Sequence, residues 1–358
     1  MATLTFYDAL GTGGVLQNGD VFNSDLRGWG TPETSTSWRD SDTVWVTVRY
    51  SPQNLSFGFL VDVHGYYDYT IRNAEIRTDA LVFGATGIDV RTSNLSYLLT
   101  RGHDRIYGNR YGDTLDAGDG HDVVYGRVGD DKVSGDDGRD TIYGGEGADS
   151  LSGNDHADQL FGESGNDNLN GMNGADSLVG GDGDDTLLGG QQGDTLHGEV
   201  GQDLIFGAEG DDRMAGHEGH DRLNGDAGND MLFGGGGRDT LAGGNGRDVH
   251  FLGQDADSDV IVFNGIHDSR RGEGVDTLRE FNRAHDVIDL SAIDARVQTM
   301  GSDDAFAFSR RGPAAHSVWV ESYTGGVFLM ADVDGNARAD LRIRVAGVQT
   351  LTLDDLIL

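Results

Sequence analysis

Cysteine is absent from all 358 residues, so neither a disulfide framework nor a thiolate metal centre can be built. Proline is nearly absent: Pro32, Pro52 and Pro313 stand against 58 glycines. A collagen-type helix needs both residues in quantity and is excluded. Positive charge is scarce, with 26 Lys and Arg against 61 Asp and Glu and a formal net charge of −35. Nucleic acid and anionic membranes repel such a chain, so neither is an expected partner, whereas cations are. Long apolar runs are missing too, and no segment approaches a membrane span. The start, "MATLTFYDALGTGG", has no basic residue before Arg27 and no apolar stretch, unlike a Sec-type signal peptide. Taken alone, that pattern points to the cytoplasm.

What the chain has instead is a period of nine. Aspartate occupies all seventeen positions Asp104, Asp113, Asp122, Asp131, Asp140, Asp149, Asp158, Asp167, Asp176, Asp185, Asp194, Asp203, Asp212, Asp221, Asp230, Asp239 and Asp248, with no insertion or deletion. Two residues after each Asp, sixteen consecutive positions from Ile106 to Leu241 hold Ile, Leu, Val or Met. Five residues before the Asp, glycine stands in fifteen of seventeen cases, and two before it in fourteen of seventeen. Tyr111, His156 and Gln192 are the departures at the second of these slots. The unit is G-G-x-G-x-D-x-U-x, with U a large aliphatic residue. It resembles the nonapeptide of the RTX, or hemolysin-type, calcium-binding repeat family over residues 99–252.

The physical reading agrees with that resemblance. On a short x-U-x strand, U points inward and its neighbours outward. The preceding six residues turn tightly, using backbone angles open to glycine. Two nonapeptides then make one coil, and the U residues of two facing sheets meet in a thin core. The expected fold class is all-β, a right-handed parallel β-roll (a β-solenoid of nonapeptide repeats), about 40 Å long at a strand spacing of ~4.8 Å. One aliphatic side chain per nine residues is a meagre core for so much ordered backbone. Stacking, however, brings aspartates eighteen residues apart into ladders, among glycine-rich carbonyls. Carboxylate and carbonyl oxygens are hard ligands suited to Ca2+, whose binding energy becomes folding energy.

One ladder runs Asp104, Asp122, Asp140, Asp158, Asp176, Asp194, Asp212, Asp230, Asp248, and the other Asp113, Asp131, Asp149, Asp167, Asp185, Asp203, Asp221, Asp239. Eight gaps in the first and seven in the second set a ceiling of about fifteen ions. Carbonyls of turn glycines such as Gly126, Gly129, Gly135, Gly138, Gly144, Gly147, Gly162, Gly165, Gly180, Gly183, Gly207, Gly210, Gly225 and Gly228 are expected to complete the shells. Sites at Tyr111, His156 and Gln192 are expected to be empty or distorted.

The residue after U gives one outer face an aromatic run: Tyr107, Tyr125, Tyr143 and Phe161. A flanking segment could cover it, or it could serve a sugar or a protein partner. Residues 1–98 lack the repeat. "DTVWVTVRY" (Asp42–Tyr50), "LSFGFLVDVH" (Leu55–His64) and "YYDYTIR" (Tyr66–Arg72) alternate at period two and read as strands of a β-rich domain or cap. His64 beside Tyr66, Tyr67 and Tyr69 reads as a surface hairpin rather than a site.

Residues 253–358 resemble the C-terminal region of serralysin-type secreted proteins, through "DTLREFNRAHDVIDLSAID" (Asp276–Asp294), "FLMADVDGNARADLRIRVAGV" (Phe328–Val348) and "LTLDDLIL" (Leu351–Leu358). The resemblance implies a β-rich C-terminal cap and export by a type I secretion apparatus reading an uncleaved C-terminal signal. Asp355 followed by Leu356, Ile357 and Leu358 fits that pattern. On this reading the chain is secreted, extracellular or attached to a cell surface, which reverses the cytoplasmic inference. "DVDGNARAD" spaces Asp332, Asp334, Asn336 and Asp340 like early calcium-loop ligands. Ile343 stands where a bidentate Glu is required, so an EF-hand is excluded, and a solvated turn is an equal reading.

Familiar catalytic motifs are missing from the sequence. The zinc-protease motif H-E-x-x-H is missing, and "HEGH" (His217–His220) has the wrong spacing. No G-x-S-x-G elbow occurs. The stretch before the repeats is too short for the catalytic β-helix of a mannuronan epimerase. His103, His121, His156, His197, His217, His220 and His250 read as solvent-facing occupants of variable slots. The expectation is a calcium-binding β-roll without catalysis of its own, structural, adhesive or matrix-forming, with a cell-surface glycan or protein as possible partner. The alternative is a polysaccharide-binding or polysaccharide-modifying protein using residues 1–98 or the aromatic stripe.

Overall fold

The structure is a computed structural model of the chain. It describes residues 103, 105–108, 110–269, 274–293, 306–309 and 312–358, and within residues 1–100 the backbone of short strands alone. The chain divides into two compact units, Met1–Leu151 and Ser152–Leu358. Both are built from strands, and among the described residues the single helical turn is a 3-10 turn at Leu353–Asp355.

In the first unit, Trp45–Tyr50 pairs antiparallel with Thr36–Trp38 on one side and Leu81–Thr86 on the other. Of the other two expected strands, Gly58–Phe59 and Tyr69–Ile71 are strand, and the remaining residues lie outside those described. His64, Tyr66 and Tyr67 lie outside the described residues. From Arg105 onward the pairing becomes parallel. Arg105–Tyr107, Val123–Val128 and Thr141–Glu146 stack on one sheet, and Thr114–Asp116 and Lys132–Asp137 on the other. Every partner is eighteen residues away, as for Val124 opposite Ile142.

The second unit repeats this register from Gln159–Ser164 to Met231–Gly236 on one sheet, and from Asn168–Asn173 to Thr240–Ala242 on the other. The U residues Leu160, Leu169, Leu178, Leu187, Leu196 and Ile205 are fully buried. Alternation on the strand sends their neighbours outward.

The strands are longer than x-U-x. Thr141–Glu146 and Ser177–Asp182 extend three residues further, into what reads from the sequence as turn. The cause is register: with no offset between coils, backbone amides pair wherever the chain is extended. The corner comes four residues before each Asp, where φ is positive whether the residue is glycine (Gly181, Gly190) or not (Glu199, Ala208, His217).

After Val249–Phe251 the roll continues on irregular spacing. Val260–Val262 and Val287–Asp289 add to one sheet, and Thr277–Arg279 to the other. Leu341–Ala346 then joins Thr277–Arg279 in parallel and begins an antiparallel meander with Gly326–Ala331 and Ser317–Tyr323. The core widens there, packing Phe263, Phe281, Phe306, Leu329, Ile343 and their neighbours together. Leu356–Ile357 closes the other sheet against Val287–Asp289.

Candidate metal centre

Each described ladder aspartate sits between the strand of its own repeat and the coil stacked on it. Within each unit, the backbone amide of a rung donates to Oδ1 of the next: Asp113 to Asp131, Asp176 to Asp194 at 2.8 Å, Asp194 to Asp212 at 2.7 Å, Asp230 to Asp248 at 2.9 Å. Its carbonyl accepts the amide nineteen residues on, as Asp176 does from Thr195 at 2.9 Å. The rungs from Asp113 to Asp248 are all buried. Asp104 lies outside the described residues.

One carboxylate oxygen of each rung is therefore spoken for. In Asp131, Asp176, Asp185, Asp194, Asp203, Asp212, Asp221, Asp230, Asp239 and Asp248, the other, Oδ2, is buried with no hydrogen-bond partner. A buried acceptor left so costs on the order of 1–3 kcal/mol. The glycine five residues before the Asp shows what surrounds it. A Cβ placed on Gly225 would lie 2.3 Å from Oδ2 of Asp230 and 2.5 Å from the carbonyl oxygen of Gly243. Gly207 and Gly180 repeat this with Asp212 and Gly225, and with Asp185 and Gly198. Glycine is thus required to leave room beside a carboxylate oxygen and a carbonyl oxygen of the next coil. An all-oxygen cradle with an unpartnered anionic member fits a hard divalent cation.

The second glycine column does different work. Gly219, with φ +158°, has the carbonyl oxygen of Gly201 only 1.5 Å from where its Cβ would stand. These glycines, Gly129, Gly138, Gly147, Gly183, Gly210 and Gly228 among them, set the close approach of stacked coils. His156 and Gln192 keep the same path with φ of 81° and 75°. The amide of Asp158 still reaches Asp176 at 2.8 Å, and that of Asp176 reaches Asp194 at 2.8 Å.

Electrostatics agrees. Burial pushes the carboxyls of Asp131, Asp185, Asp194, Asp221, Asp230 and Asp248 up to about 7 and those of Asp176 and Asp239 up to about 6. The amide donor of the preceding rung opposes the shift, and for Asp131 and Asp185 the carboxylates above and below add to it.

The ladders run past the strict repeat. The amide of Asp239 donates to Oδ1 of Asp259 at 3.0 Å, Asp248 to Asp276 at 2.8 Å, and Asp259 to Asp286 at 3.3 Å. Burial and the neighbouring Asp248 push Asp276 up to about 9, and its Oδ2 is also unpartnered. These three rungs are missed by the nine-residue count because the turns before them are lengthened. Their signal was the local D-x-U-x of "DVIV", "DTLR" and "DVID".

The loop at Asp332 folds differently. Carboxylate oxygens of Asp332, Asp334 and Asp340 lie within 4.8 Å of one another. Asp332 accepts the amides of Gly335 and Ala337, and Asp340 those of Val333 and Asp334. Asn336 turns to its own loop, donating to Asp334 and accepting from Arg338. These carboxylates hold the turn.

The histidines separate into three groups. His103, His121 and His220 are exposed, and His121 and His220 accept the amides of Arg139 and Arg238 in the coil stacked on each. His197 and His217 are half-buried and adjoin. His250 corrects the solvent-facing reading. It occupies a U slot between Leu232 and Leu278, is fully buried, and has no partner for either ring nitrogen. Burial lowers it to about 4.

The aromatic run stacks on itself: Tyr107 on Tyr125 at 5.0 Å and Tyr125 on Tyr143 at 4.9 Å, nearly parallel. Further along, Phe233 stacks on Phe251 at 4.5 Å.

Against known proteins, the family model for the C-terminal region of the M10 peptidase serralysins matches residues 101–358. A comparison with curated proteins finds no match. Among solved structures, the chain is similar to the AlgE6R3 subunit of the Azotobacter vinelandii mannuronan C5-epimerase, at 25% identity, covering 47% of this chain and 78% of that one, with a TM-score of 0.27. It is similar too to the AlgE6R2 subunit of that enzyme, at 24% identity, covering 51% and 92%, with a TM-score of 0.26.

Proposed function

The chain belongs to the serralysin C-terminal family of M10 peptidases, and from that premise we propose that it is a secreted calcium-binding β-roll protein that folds on Ca2+ outside the cell and serves a structural, adhesive or matrix role. The observation that carries this reading is the column of buried, unpartnered Asp Oδ2 atoms beside glycine carbonyls. In each gap the Asp Oδ2 and the carbonyl of the following coil's glycine would hold the ion. Bound there, Ca2+ supplies the positive charge that the ladder lacks. The residues themselves keep side chains out of the cradle, orient one carboxylate oxygen through an amide, and leave the other for the metal.

Export by a type I apparatus is part of the proposal, with Asp355–Leu358 as address and residues 1–98 as a separate β-rich domain or cap. The low calcium of a cell interior would leave a −35 chain unfolded and able to thread a channel. The test is circular dichroism in chelator and then in millimolar Ca2+, with secretion of a chain lacking residues 355–358 measured alongside. A coil spectrum that becomes β on adding calcium is expected, together with retention of the truncated chain. An apo spectrum already as ordered as the loaded one overturns the calcium reading. Undiminished secretion overturns the address.

One observation favours the polysaccharide-binding alternative. Arg247, Arg342 and Arg344 line a cleft of about 470 Å³ with Tyr323 and Phe328. Nε of Arg342 is buried there with no hydrogen-bond partner, and its guanidinium lies 3.7 Å from the centre of the Phe328 ring. Guanidinium groups and ring faces together suit a carboxylated sugar. Binding of a polyuronate to the calcium-saturated protein, lost in Arg342→Ala, would support it; no binding in the wild type rejects it.

A further inference from the structure

His197, Glu199 and His217 come together on the outside of the roll. Thr195–Gly201 and Arg213–Gly219 are neighbouring parallel strands, paired so that Glu199 faces His217 and His197 faces Ala215. His197 and Glu199, two residues apart, share a face. Opposite His197 the small Ala215 leaves room, and the His217 ring leans across to stack on His197 at 5.2 Å between centres. Nδ1 of His197 then lies 2.9 Å from Nε2 of His217, which lies 3.7 Å from Oε1 of Glu199. The three ligand atoms are all within 4.8 Å of one another.

We propose that His197, Glu199 and His217 form a binding site for a borderline divalent transition metal of the zinc class, tying two adjacent coils together from outside. Two imidazoles and one carboxylate are the donor set that Zn2+ accepts and Ca2+ does not, since calcium takes oxygen ligands. The spacing suits it as well. Zinc–ligand bonds of about 2.0–2.1 Å at a tetrahedral centre separate the ligand atoms by roughly 3.3 Å, between the two distances observed. The side chains of His217 and Glu199 are 40% and 45% exposed, so each has freedom for the adjustment of a few tenths of an ångström. The two ring nitrogens lie 2.9 Å apart, so both are within reach of a single ion. The slots that stack on Glu199 and His217 from the outer coils are Gly181 and Gly235, so no side chain from them crowds the remaining coordination position. Water or a ligand from solution would fill it.

No single-repeat reading reveals the site, because "LHGEV" and "MAGHE" are eighteen residues apart. Stacking makes them neighbours.

The test is calorimetric titration of Zn2+ into the full chain at pH 7.5 with saturating Ca2+. Co2+ is used in parallel, for its visible absorption when bound by nitrogen. One equivalent is expected, with a nitrogen-type Co2+ spectrum. His217→Ala and His197→Ala should each weaken binding at least about tenfold, which is 1.4 kcal/mol, and Glu199→Gln should weaken it by less. His285→Ala, an exposed histidine outside the cluster, should leave it unchanged. Circular dichroism in calcium establishes that each variant is folded. Absence of a saturable equivalent in the wild type overturns the proposal. So does binding that survives the double His197→Ala, His217→Ala variant, or that competes with Ca2+ and so belongs to the ladders. Because calcium is present throughout, failure here leaves the calcium reading untouched.

Discussion

Within the second unit, the regular coils as far as Gly246 and the region after Val249 bury different things. Each nonapeptide of the coils buries one aliphatic side chain and one aspartate, such as Leu196 with Asp194. The later region buries Phe263, Phe281, Phe306, Ile343 and Leu329 in one cluster, with Trp319 and Met330 in a second. Apolar burial stabilises the second arrangement directly, at about 25 cal/mol per Å². In the coils a buried anion repeats every nine residues, so apolar burial alone leaves an unbalanced electrostatic cost. The coils thus depend chiefly on neutralisation of charge, while the later region, which still carries the rungs Asp259, Asp276 and Asp286, adds a broad apolar core.

The largest expected effect comes from removing calcium. Amide exchange in chelator should lose protection across residues 158–248 while Ser317–Ala346 keeps more of its own. Loss of equal size in both regions would break the comparison.

Acid comes next, with the ladder carboxyls and His250 opposed in sign. The ladder carboxyls are raised from 3.8 to about 6 or 7 when folded, so the folded coils bind more protons than the unfolded chain between about pH 4 and 7. Their stabilising contribution is complete below pH 3.8 and is lost as pH rises through 7. The metal-free coils should therefore gain order as pH falls from 7 to 4. His250 falls from 6.5 to about 4, so its contribution is lost as pH falls through that window. Metal-free protection factors at pH 7 and pH 4.5, corrected for intrinsic exchange, check both signs: protection should rise at 158–230 and rise less around Val249–Phe251, where His250 opposes the raised Asp248 and Asp276. Uniform change would show that burial of these groups does not control either region.

Glycine substitutions should follow at smaller size. Gly219→Ala forces a Cβ onto the carbonyl of Gly201 at φ +158°, and should cost about 2–4 kcal/mol by calcium-loaded denaturation. Gly347→Ala has φ +86° but nothing within 4 Å, and should cost about 1 kcal/mol. Similar losses would mean that coil spacing is not set by these contacts. Smallest of all, His250→Leu should be neutral or stabilise by about 1–2 kcal/mol at pH 7, since it removes two unpartnered buried nitrogens from a leucine column. The same variant should enlarge the acid-induced gain in protection near Val249–Phe251, since Asp248 and Asp276 are then unopposed. A large destabilisation would show that the imidazole has a partner in solution.

Much of this was legible from residue order. The column of aspartates and the column of aliphatics each predict a stack, and Leu160 to Leu241 are buried where the period puts them. The same arithmetic failed at His250, because a histidine in a U slot looks like any variable residue until its neighbours Leu232 and Leu278 are in place. It failed again at Asp259, Asp276 and Asp286. There the turns lengthen, and rung spacing becomes 20, 28 and 27 residues.

A constant period constrains structure unaided, because every coil repeats the same local geometry and the next coil's position follows from it. The all-β class, the eighteen-residue register, the inward aliphatics and the acidic ladders were set in this way by residue order. Contacts between residues at no fixed spacing were decided by the tertiary structure. Arg283 closes on the buried Asp355 at 2.9 Å across seventy-two positions, and Leu356 finds Ile288. His217 turns to His197 because Ala215 stands between them. No period encodes such meetings, since each depends on the path of a particular loop and on which side chains are small enough to let others pass.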